Sequence, residues 1–190
     1  MKRFQCDVLV VGGGGAGLMA ACGAALNNAS VMVAVKGRVQ RSGATVMAPG
    51  AISAVDDRWK KEGDSRELHF ADTMEGGCFI NDQDMVKVLC ERSPELVLEL
   101  ERMGALFQRE DDGVSYSLRI DGGHSFPRCP FLEDRTGKEM LKAMAGALRK
   151  LRVPLCENVM VTRILKKDGR VAGAAGVSVI TGEPVIFECN

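Results

Sequence analysis

A run of glycines near the start of the chain has the spacing of a phosphate-binding loop. Residues 12–17 read GGGGAG, which fits the pattern G-x-G-x-x-G, and they follow the apolar run CDVLVV at residues 6–11. Gly12 permits a tight turn, Gly14 lets the backbone approach a pyrophosphate, and Gly17 lets a helix lie close to the strand. Backbone N–H groups and the dipole of a helix that begins here favour an anion. The pattern therefore predicts that this loop binds a dinucleotide.

The segments around the loop predict a βαβ unit. Residues 6–11 and 30–35 are apolar and rich in β-branched residues, as buried parallel strands are, and residues 16–26 between them predict a helix of small residues. A segment from residue 36 to about residue 55 contains few residues that could build a core, so it is predicted to be a loop. Loops of this length inside compact domains are usually functional.

The rest of the chain predicts helices followed by a β-meander. Four helices are predicted from capping and turn signals: residues 65–74, a helix capped by Asn81, a helix opened by Ser93-Pro94-Glu95 that ends at Gly104, and a helix from the capping box of Thr136 and Glu139 to about Leu151. Three strand-like segments then alternate with two-residue turns at Asp168-Gly169 and Thr181-Gly182: residues 158–166, 170–180 and 184–189. The predicted fold class is α/β, a Rossmann-type βαβ domain with a β-meander, over residues 1–190.

The composition favours a small-molecule ligand over a nucleic acid or a membrane. Lys plus Arg equals Asp plus Glu at 25 each, so no overall field attracts an anionic polymer or surface. The seven cysteines are scattered without a C-x-x-C pair, which indicates neither a disulfide framework nor a metal site and suits a reducing cytoplasm. The uncharged run from Val8 to Leu26 is as long as a membrane helix, but glycines interrupt it. We therefore predict no metal, no nucleic-acid partner and no direct membrane insertion.

The end of the second predicted strand lacks the acid that usually binds a ribose. In dinucleotide-binding domains this carboxylate would fall near Val35 or Lys36, and the chain has an apolar residue and a cation there. A cation at this position can accommodate the 2′-phosphate of NADP, so these residues alone leave FAD, NAD and NADP open.

The whole chain resembles the N-terminal part of the succinate dehydrogenase and fumarate reductase flavoprotein family, which includes the L-aspartate oxidases. Three blocks carry the resemblance: CDVLVVGGGGAGLMAA, RSGATVMAPGAISAV at residues 41–55, and GGHSFPRCPFLEDRTGKEMLKAM at residues 122–144. The first block is shared by many flavoproteins, and the third is much more specific. Members often have a small residue followed by Lys in place of the strand-two acid, as in Val35-Lys36, so the resemblance implies FAD.

The family resemblance implies a glutathione-reductase-like FAD-binding domain and a set of cofactor contacts. The implied FAD-binding residues come from the glycine loop, the end of the second strand, the loop after it and the meander: Gly12, Gly14, Gly15, Ala16, Gly17, Lys36, Ser42, Gly43, Ala44, Thr45, Ala48, Pro49, Gly50, Ala51 and Met160. Membrane-bound members carry a His that bonds covalently to the flavin where this chain has Ala44, so noncovalent FAD is expected. The family's substrate-binding His and Arg residues lie further along, so we assign no catalytic residue, and His124 and Arg128 receive no direct catalytic role. A role of Arg128 in positioning the flavin or the substrate domain stays open.

The implied activity is that of an FAD-dependent oxidoreductase that exchanges a hydride between flavin N5 and a dicarboxylate. Family members continue into a capping domain with the substrate site, so residues 1–190 are expected to be truncated before that domain and, alone, not competent for turnover. The alternatives are L-aspartate oxidase, the flavoprotein subunit of adenylylsulfate reductase, a noncatalytic FAD-binding or subunit-docking module, and a plain NADP-binding domain. The implied partners are a dicarboxylate and an iron–sulfur subunit. The implied location is the cytoplasm, peripheral to the inner face of the membrane through a partner.

Overall fold

The computed structural model describes residues 1–189, which form two compact units. The first unit comprises Met1–Met47 together with the chain from Met140 onward, and the second is Ala48–Glu139. The elements in chain order are strands β1 (Lys2–Cys6) and β2 (Val8–Val11), helix α1 (Gly15–Leu26), strand β3 (Val31–Val35), helices α2 (Arg66–Gly76) and α3 (Gln83–Arg102), strands β4 (Leu118–Arg119) and β5 (Cys129–Pro130), helix α4 (Thr136–Lys150), and strands β6 (Leu155–Glu157), β7 (Val159–Lys167), β8 (Arg170–Ser178) and β9 (Pro184–Cys189).

The first unit contains the predicted βαβ unit. Strands β2 and β3 pair in parallel, with Val8 opposite Val31, and β6 adds to the other edge of β3. All five residues of β3 are buried, which explains its continuous apolar run. The segment after β3 contains only a short 3₁₀ turn at Thr45–Met47 before Arg66. The predicted βαβ unit and the long loop after it are therefore confirmed.

A second sheet of the first unit contains the predicted meander. Its strand order is β1-β9-β8-β7, in which β8 pairs antiparallel with both β7 and β9, and β1 pairs parallel with β9. The apolar core between the sheets includes Met32, Ala34, Val159, Ala174 and Phe187. The meander is confirmed, although β8 ends at Ser178 and not at residue 180.

One strand was predicted where the structure has two. Residues 6–11 were expected to form a single strand, but Cys6 ends β1 and Val8 begins β2. Between them the Asp7 carboxylate accepts the N–H of Ser30 at 2.7 Å, and the two strands belong to different sheets. Strand β1 was missed because its partner β9 lies at the other end of the chain, beyond the reach of a local pattern.

The second unit consists of α2, α3, the ribbon of β4 and β5, and the start of α4. Ser65 caps α2 by accepting the N–H of Leu68 at 3.2 Å, as its position before the helix predicts. The predicted cap of the next helix is wrong, because Asp82, and not Asn81, accepts the N–H of Met85 at 3.1 Å. The Asn81 amide instead donates to the Thr73 carbonyl.

The predicted break at Pro94 is also wrong, because α3 runs through it as one helix. The buried side chains Val86, Cys90, Val97 and Leu100 continue one face on both sides of Pro94. Burial of this face outweighs the hydrogen bond that proline removes from a helix interior. Proline at the start of a helix and proline inside a well-packed helix give the same local pattern.

Helix α4 begins at the predicted residue and buries the predicted face. Met144 and Leu148 are fully buried, so this part of the stripe belongs to the core. The capping-box prediction made Thr136 the N-cap of this helix, and this is wrong. Thr136 is the first residue of the helix, and its hydroxyl accepts the N–H of Leu132 at 3.0 Å. Among residues 1–189, no helix combines the length and apolarity needed to cross a membrane.

Candidate functional site

The glycine loop of the first unit brings the β2 end and the α1 start into close contact. Gly12 donates its N–H to Ala34 of β3 at 2.9 Å and adopts a φ of +118°, which favours glycine. A Cβ on Gly17 would lie 2.1 Å from the Gly12 carbonyl oxygen, so any side chain at Gly17 would push the helix away from the strand. The two glycines therefore shape the turn and the close packing of helix on strand, as their spacing predicts.

The N-terminus of α1 offers backbone donors to an anion. Gly14 is the N-cap and provides no side-chain cap. Gly15 donates its N–H to the Thr45 hydroxyl at 3.1 Å, whereas the N–H groups of Ala16 and Gly17 lie in the first turn, where the helix has no carbonyl for them. The helix dipole adds a partial positive charge at the same place. The geometry suits a pyrophosphate.

A cavity of about 530 Å³ opens beside these donors in the first unit. Its walls come from the glycine loop, the end of β3 and the loop after it: Gly12, Gly13, Gly14, Val35, Lys36, Gly37, Ser42 and Gly43. Five of the eight are glycines, so the cavity walls are largely backbone, which a nucleotide can approach closely. The residues present therefore fit a dinucleotide.

The remaining predicted contacts are distributed over both units. In the first unit, Ala44 directly precedes the 3₁₀ turn that Thr45 begins. Met160 lies in β7 and is not among the residues that line the cavity. In the second unit, the predicted flavin-contacting residues are consecutive: Ala48, Pro49, Gly50 and Ala51. The Pro49 carbonyl accepts a hydrogen bond from Arg119 at 3.1 Å, and a Cβ on Gly50 would lie 3.2 Å from an Asp121 carboxylate oxygen.

Beside this segment the second unit buries a polar cluster. Arg128 is fully buried and pairs with Asp64 at 2.7 Å and with Asp72 at 2.8 Å. His124 lies between Arg128 and Ser53, with its Nε2 atom 2.8 Å from the Ser53 hydroxyl. Sequence reasoning singled out His124 and Arg128 but missed the other members of the cluster. No local pattern links carboxylates about 60 residues before Arg128 to its side chain.

Burial and charge set the ionisation of this cluster. Burial, and then the Arg128 charge, lower the pKa of His124, which keeps the ring neutral. Burial by itself would raise the pKa of Asp72, but hydrogen bonds from Ser125 and the charge and hydrogen bond of Arg128 outweigh it and hold that pKa below its usual value. Burial lowers the pKa of His69, which packs edge-on against His124, to about 4. The cluster is thus one guanidinium between two carboxylates, with two neutral histidines.

Comparison with known proteins identifies the family. A family profile described as "FAD binding domain" matches residues 7–188. The chain belongs to this family of FAD-binding domains. FAD is therefore its cofactor, and the plain NADP-binding domain that the Lys36 position left open is excluded.

Similar proteins place this FAD-binding domain among flavoprotein subunits. Over its whole length it is 38% identical to a fumarate reductase (CoM/CoB) subunit of Methanothermobacter marburgensis, of which it covers 34%, and 35% identical to the fumarate reductase flavoprotein subunit of Escherichia coli, of which it covers 31%. The FAD-binding domain thus spans about a third of the length of the curated relatives that it matches.

Solved structures agree on the fold. The whole FAD-binding domain superimposes on 33% of a chain of Mycobacterium smegmatis Sdh1 in complex with UQ1, with a TM-score of 0.90 and 36% identity. It also superimposes, over 99% of its length, on 29% of a chain of adenylylsulfate reductase from Archaeoglobus fulgidus, with a TM-score of 0.75. At 21% identity the second likeness shows the fold alone. The predicted fold class and family resemblance are confirmed.

Proposed function

We propose that this FAD-binding domain serves an oxidoreductase of the succinate dehydrogenase and fumarate reductase type, which exchanges a hydride between flavin N5 and a dicarboxylate. The observation that carries the proposal is the glycine-walled cavity at the start of α1, in a chain that is similar over its whole length to fumarate reductase subunits. Bound FAD supplies the two-electron chemistry, and the protein contributes binding, orientation and electrostatics.

The first unit would hold the nucleotide part of the cofactor. The Ala16 and Gly17 N–H groups would donate to the pyrophosphate, and Lys36 would attract the adenosine side of the cofactor in place of a ribose-binding acid. Ser42, Gly43 and Thr45 are proposed contacts in the following loop, and Met160 is a proposed backbone contact in β7. Ala44 has no nucleophilic side chain, so the flavin would be bound noncovalently.

The second unit would contribute further contacts with the flavin. Ala48, Pro49, Gly50 and Ala51 present small side chains and backbone, which a planar ring can approach closely. The substrate is proposed to be succinate or fumarate, with aspartate as the alternative, because Gly122-Gly123-His124-Ser125 matches the L-aspartate oxidases more closely. An iron–sulfur subunit is the proposed electron partner, with the protein in the cytoplasm at the inner face of the membrane.

The first test is whether the purified protein that carries this chain retains flavin. We expect an absorption band at about 450 nm, and acid precipitation should release all of the flavin into solution. Assays with succinate, fumarate and aspartate then separate the dicarboxylate and aspartate activities. A protein that binds FAD but reacts with none of them would favour a noncatalytic FAD-binding or docking module. A colourless protein that also fails to bind added FAD would overturn the proposal.

The second test is the substitution Lys36→Glu. Reversing the charge in the cavity should weaken FAD binding about tenfold, because an anion would face the anionic nucleotide. Lys167→Glu makes the same charge change on the exposed end of β7 and should leave FAD affinity unchanged. Titration of the apoprotein with FAD measures both. Equal affinities in the two variants would show that the Lys36 side chain contributes little.

A further inference from the structure

The third sequence block holds the segment Ala48–Ala54 through hydrogen bonds along its length. Ile52 donates its N–H to the Pro130 carbonyl at 3.0 Å, and Ala54 donates to the Arg128 carbonyl at 3.1 Å. Nearer the start, the Ala48 carbonyl accepts the N–H of Gly137 at 3.2 Å. We call Ala48–Ala54 the flavin segment, since four of its seven residues are the proposed flavin contacts of the second unit.

Ser53 is bound to this block through its side chain. Its hydroxyl lies 2.8 Å from Nε2 of His124 and 3.3 Å from Sγ of Cys129. The other ring nitrogen of His124, Nδ1, lies 3.3 Å from Nη1 of Arg128. His124 therefore links the flavin segment to Arg128.

The chemistry of Arg128 determines which ring nitrogen of His124 carries the proton. A guanidinium can only donate hydrogen bonds, so Nδ1 of His124 accepts and the single ring proton lies on Nε2. Nε2–H then donates to the Ser53 hydroxyl oxygen, which also lies 3.3 Å from Sγ of Cys129. The carboxylate of Asp72 lies 3.8 Å from Nδ1, beyond hydrogen-bond distance.

This protonation excludes a nucleophilic role for Ser53. Ser53, His124 and Asp72 lie in the order of a serine–histidine–aspartate triad, in which the histidine must take the serine proton on Nε2. Here Nε2 already carries the ring proton, and Arg128 occupies the place where the carboxylate would accept from Nδ1. The arrangement holds Ser53 in position and does not activate it.

Arg128 itself is held rigidly. Nε and Nη2 of its guanidinium bind both carboxylate oxygens of Asp64, at 3.2 and 2.7 Å, and Nη1 binds Asp72. Asp72 in turn accepts from the N–H and the hydroxyl of Ser125 at 2.8 and 2.7 Å. A fully buried, bidentate ion pair has one geometry, so it transmits that geometry to His124.

We propose that His124 and Arg128 are positioning residues for FAD, which hold the flavin segment through the hydrogen bond from His124 to Ser53. The inference rests on the proposed function, because it requires the flavin segment to contact the cofactor. It gives a task to a buried His and Arg of the third block, to which we assign no catalytic role. Neither residue needs to touch the substrate.

The test uses the FAD-loaded protein that carries this chain and two substitutions at the ends of the bond. His124→Leu and Ser53→Ala should each weaken FAD binding about tenfold or more and shift the flavin midpoint potential and its visible circular dichroism. His124→Gln keeps a side-chain N–H donor and should return the affinity to within about threefold of the wild type. The double variant should bind FAD no more weakly than His124→Leu alone, since both changes remove one bond.

Tyr116→Phe is the matched control for general destabilisation. It removes another partly buried hydrogen bond of the second unit, from Tyr116 to Glu101, that does not end on the flavin segment. It should lower the melting temperature and leave the FAD affinity, potential and circular dichroism unchanged. If His124→Leu does not fold, Ser53→Ala decides, because it removes only a hydroxyl.

Three outcomes separate this inference from the proposed function. Wild-type FAD affinity, potential and circular dichroism in Ser53→Ala and in the folded His124 variants would overturn the positioning role. Failure of His124→Gln to improve on His124→Leu would also contradict it, because the bond and not the ring is proposed to matter. Absence of FAD binding in the wild-type protein would instead overturn the proposed function.

Discussion

Two glycines of helix α1, Gly17 and Gly23, differ in the space that a side chain would have. Gly17 is needed for space, because its Cβ would meet the Gly12 carbonyl oxygen, whereas Gly23 in the same helix is exposed and has open space around its Cβ position. The pattern G-x-G-x-x-G includes Gly17 and assigns it the close packing of helix on strand, whereas Gly23 lies outside the pattern.

The pair predicts opposite effects of the same substitution. Gly17→Ala should destabilise the protein by about 1–3 kcal/mol, since it forces the helix from the strand, and should greatly reduce FAD affinity. Gly23→Ala should stabilise it by up to about 1 kcal/mol through helix propensity and leave FAD binding intact. Urea denaturation and FAD titration of both variants provide the comparison. Similar FAD affinity in the two variants would contradict the role of close packing at Gly17.

At the scale of elements, the start of α3 depends on nearby residues, whereas its length depends on packing against distant ones. The Asp82 carboxylate accepts the N–H of Met85, so the start of the helix rests on a short-range bond. Its continuation through Pro94 rests on the buried face shared by Val86, Cys90, Val97 and Leu100, which only packing reveals. The predicted cap at Asn81 failed by one residue because Asn and Asp are equally good caps.

The cap assignment predicts a difference between two neighbouring acids. Asp82→Ala should cost about 1 kcal/mol of stability, because it removes the side-chain acceptor at the N-cap. Asp84→Ala, in the first turn of the same helix, loses only the interaction with the helix dipole and should cost about 0.3–0.5 kcal/mol. Thermal or urea unfolding measures both changes. A larger loss for Asp84→Ala would show that Asp82 does not cap α3.

At the scale of the whole molecule, stability should fall in mild acid because of His69. Within residues 1–189, this fully buried ring has no hydrogen-bond partner at either nitrogen, and burial lowers its pKa from 6.5 to about 4. The unfolded chain binds a proton below about pH 6.5, whereas the native state binds it only below about pH 4. The contribution of His69 to the free energy of unfolding is therefore constant above pH 6.5. It decreases as the pH falls from 6.5 towards 4 and is constant again below pH 4.

Replacing the ring should remove this pH dependence. His69→Leu should flatten the stability profile between pH 6.5 and 4, where His69 accounts for a loss of about 3 kcal/mol. It should cost little near neutral pH, because no hydrogen bond is lost. Urea unfolding at pH 7.5, 6 and 5 measures the effect. An unchanged slope in the variant would show that other groups cause the acid sensitivity.

The sequence by itself determined the features whose cause lies within a few residues. The glycine turn, the βαβ unit, the hairpins of the meander and the first residue of α4 all follow from spacing, turn residues and hydrophobic period. The missing acid at the end of the second strand left FAD, NAD and NADP open when the residues were considered alone. The resemblance of three blocks pointed to FAD, and the match to a family of FAD-binding domains then showed that FAD is the cofactor.

Only the tertiary structure decided the features that join distant segments. The parallel pairing of β1 with β9 joins residues near opposite ends of the chain. The carboxylates that pair with Arg128 belong to Asp72 and Asp64, which lie 56 and 64 residues before it. Local patterns encode which residues prefer burial or a turn, but not which distant group they meet. That partner depends on the three-dimensional arrangement of the packed elements, and in the second unit this arrangement places His124 against Ser53.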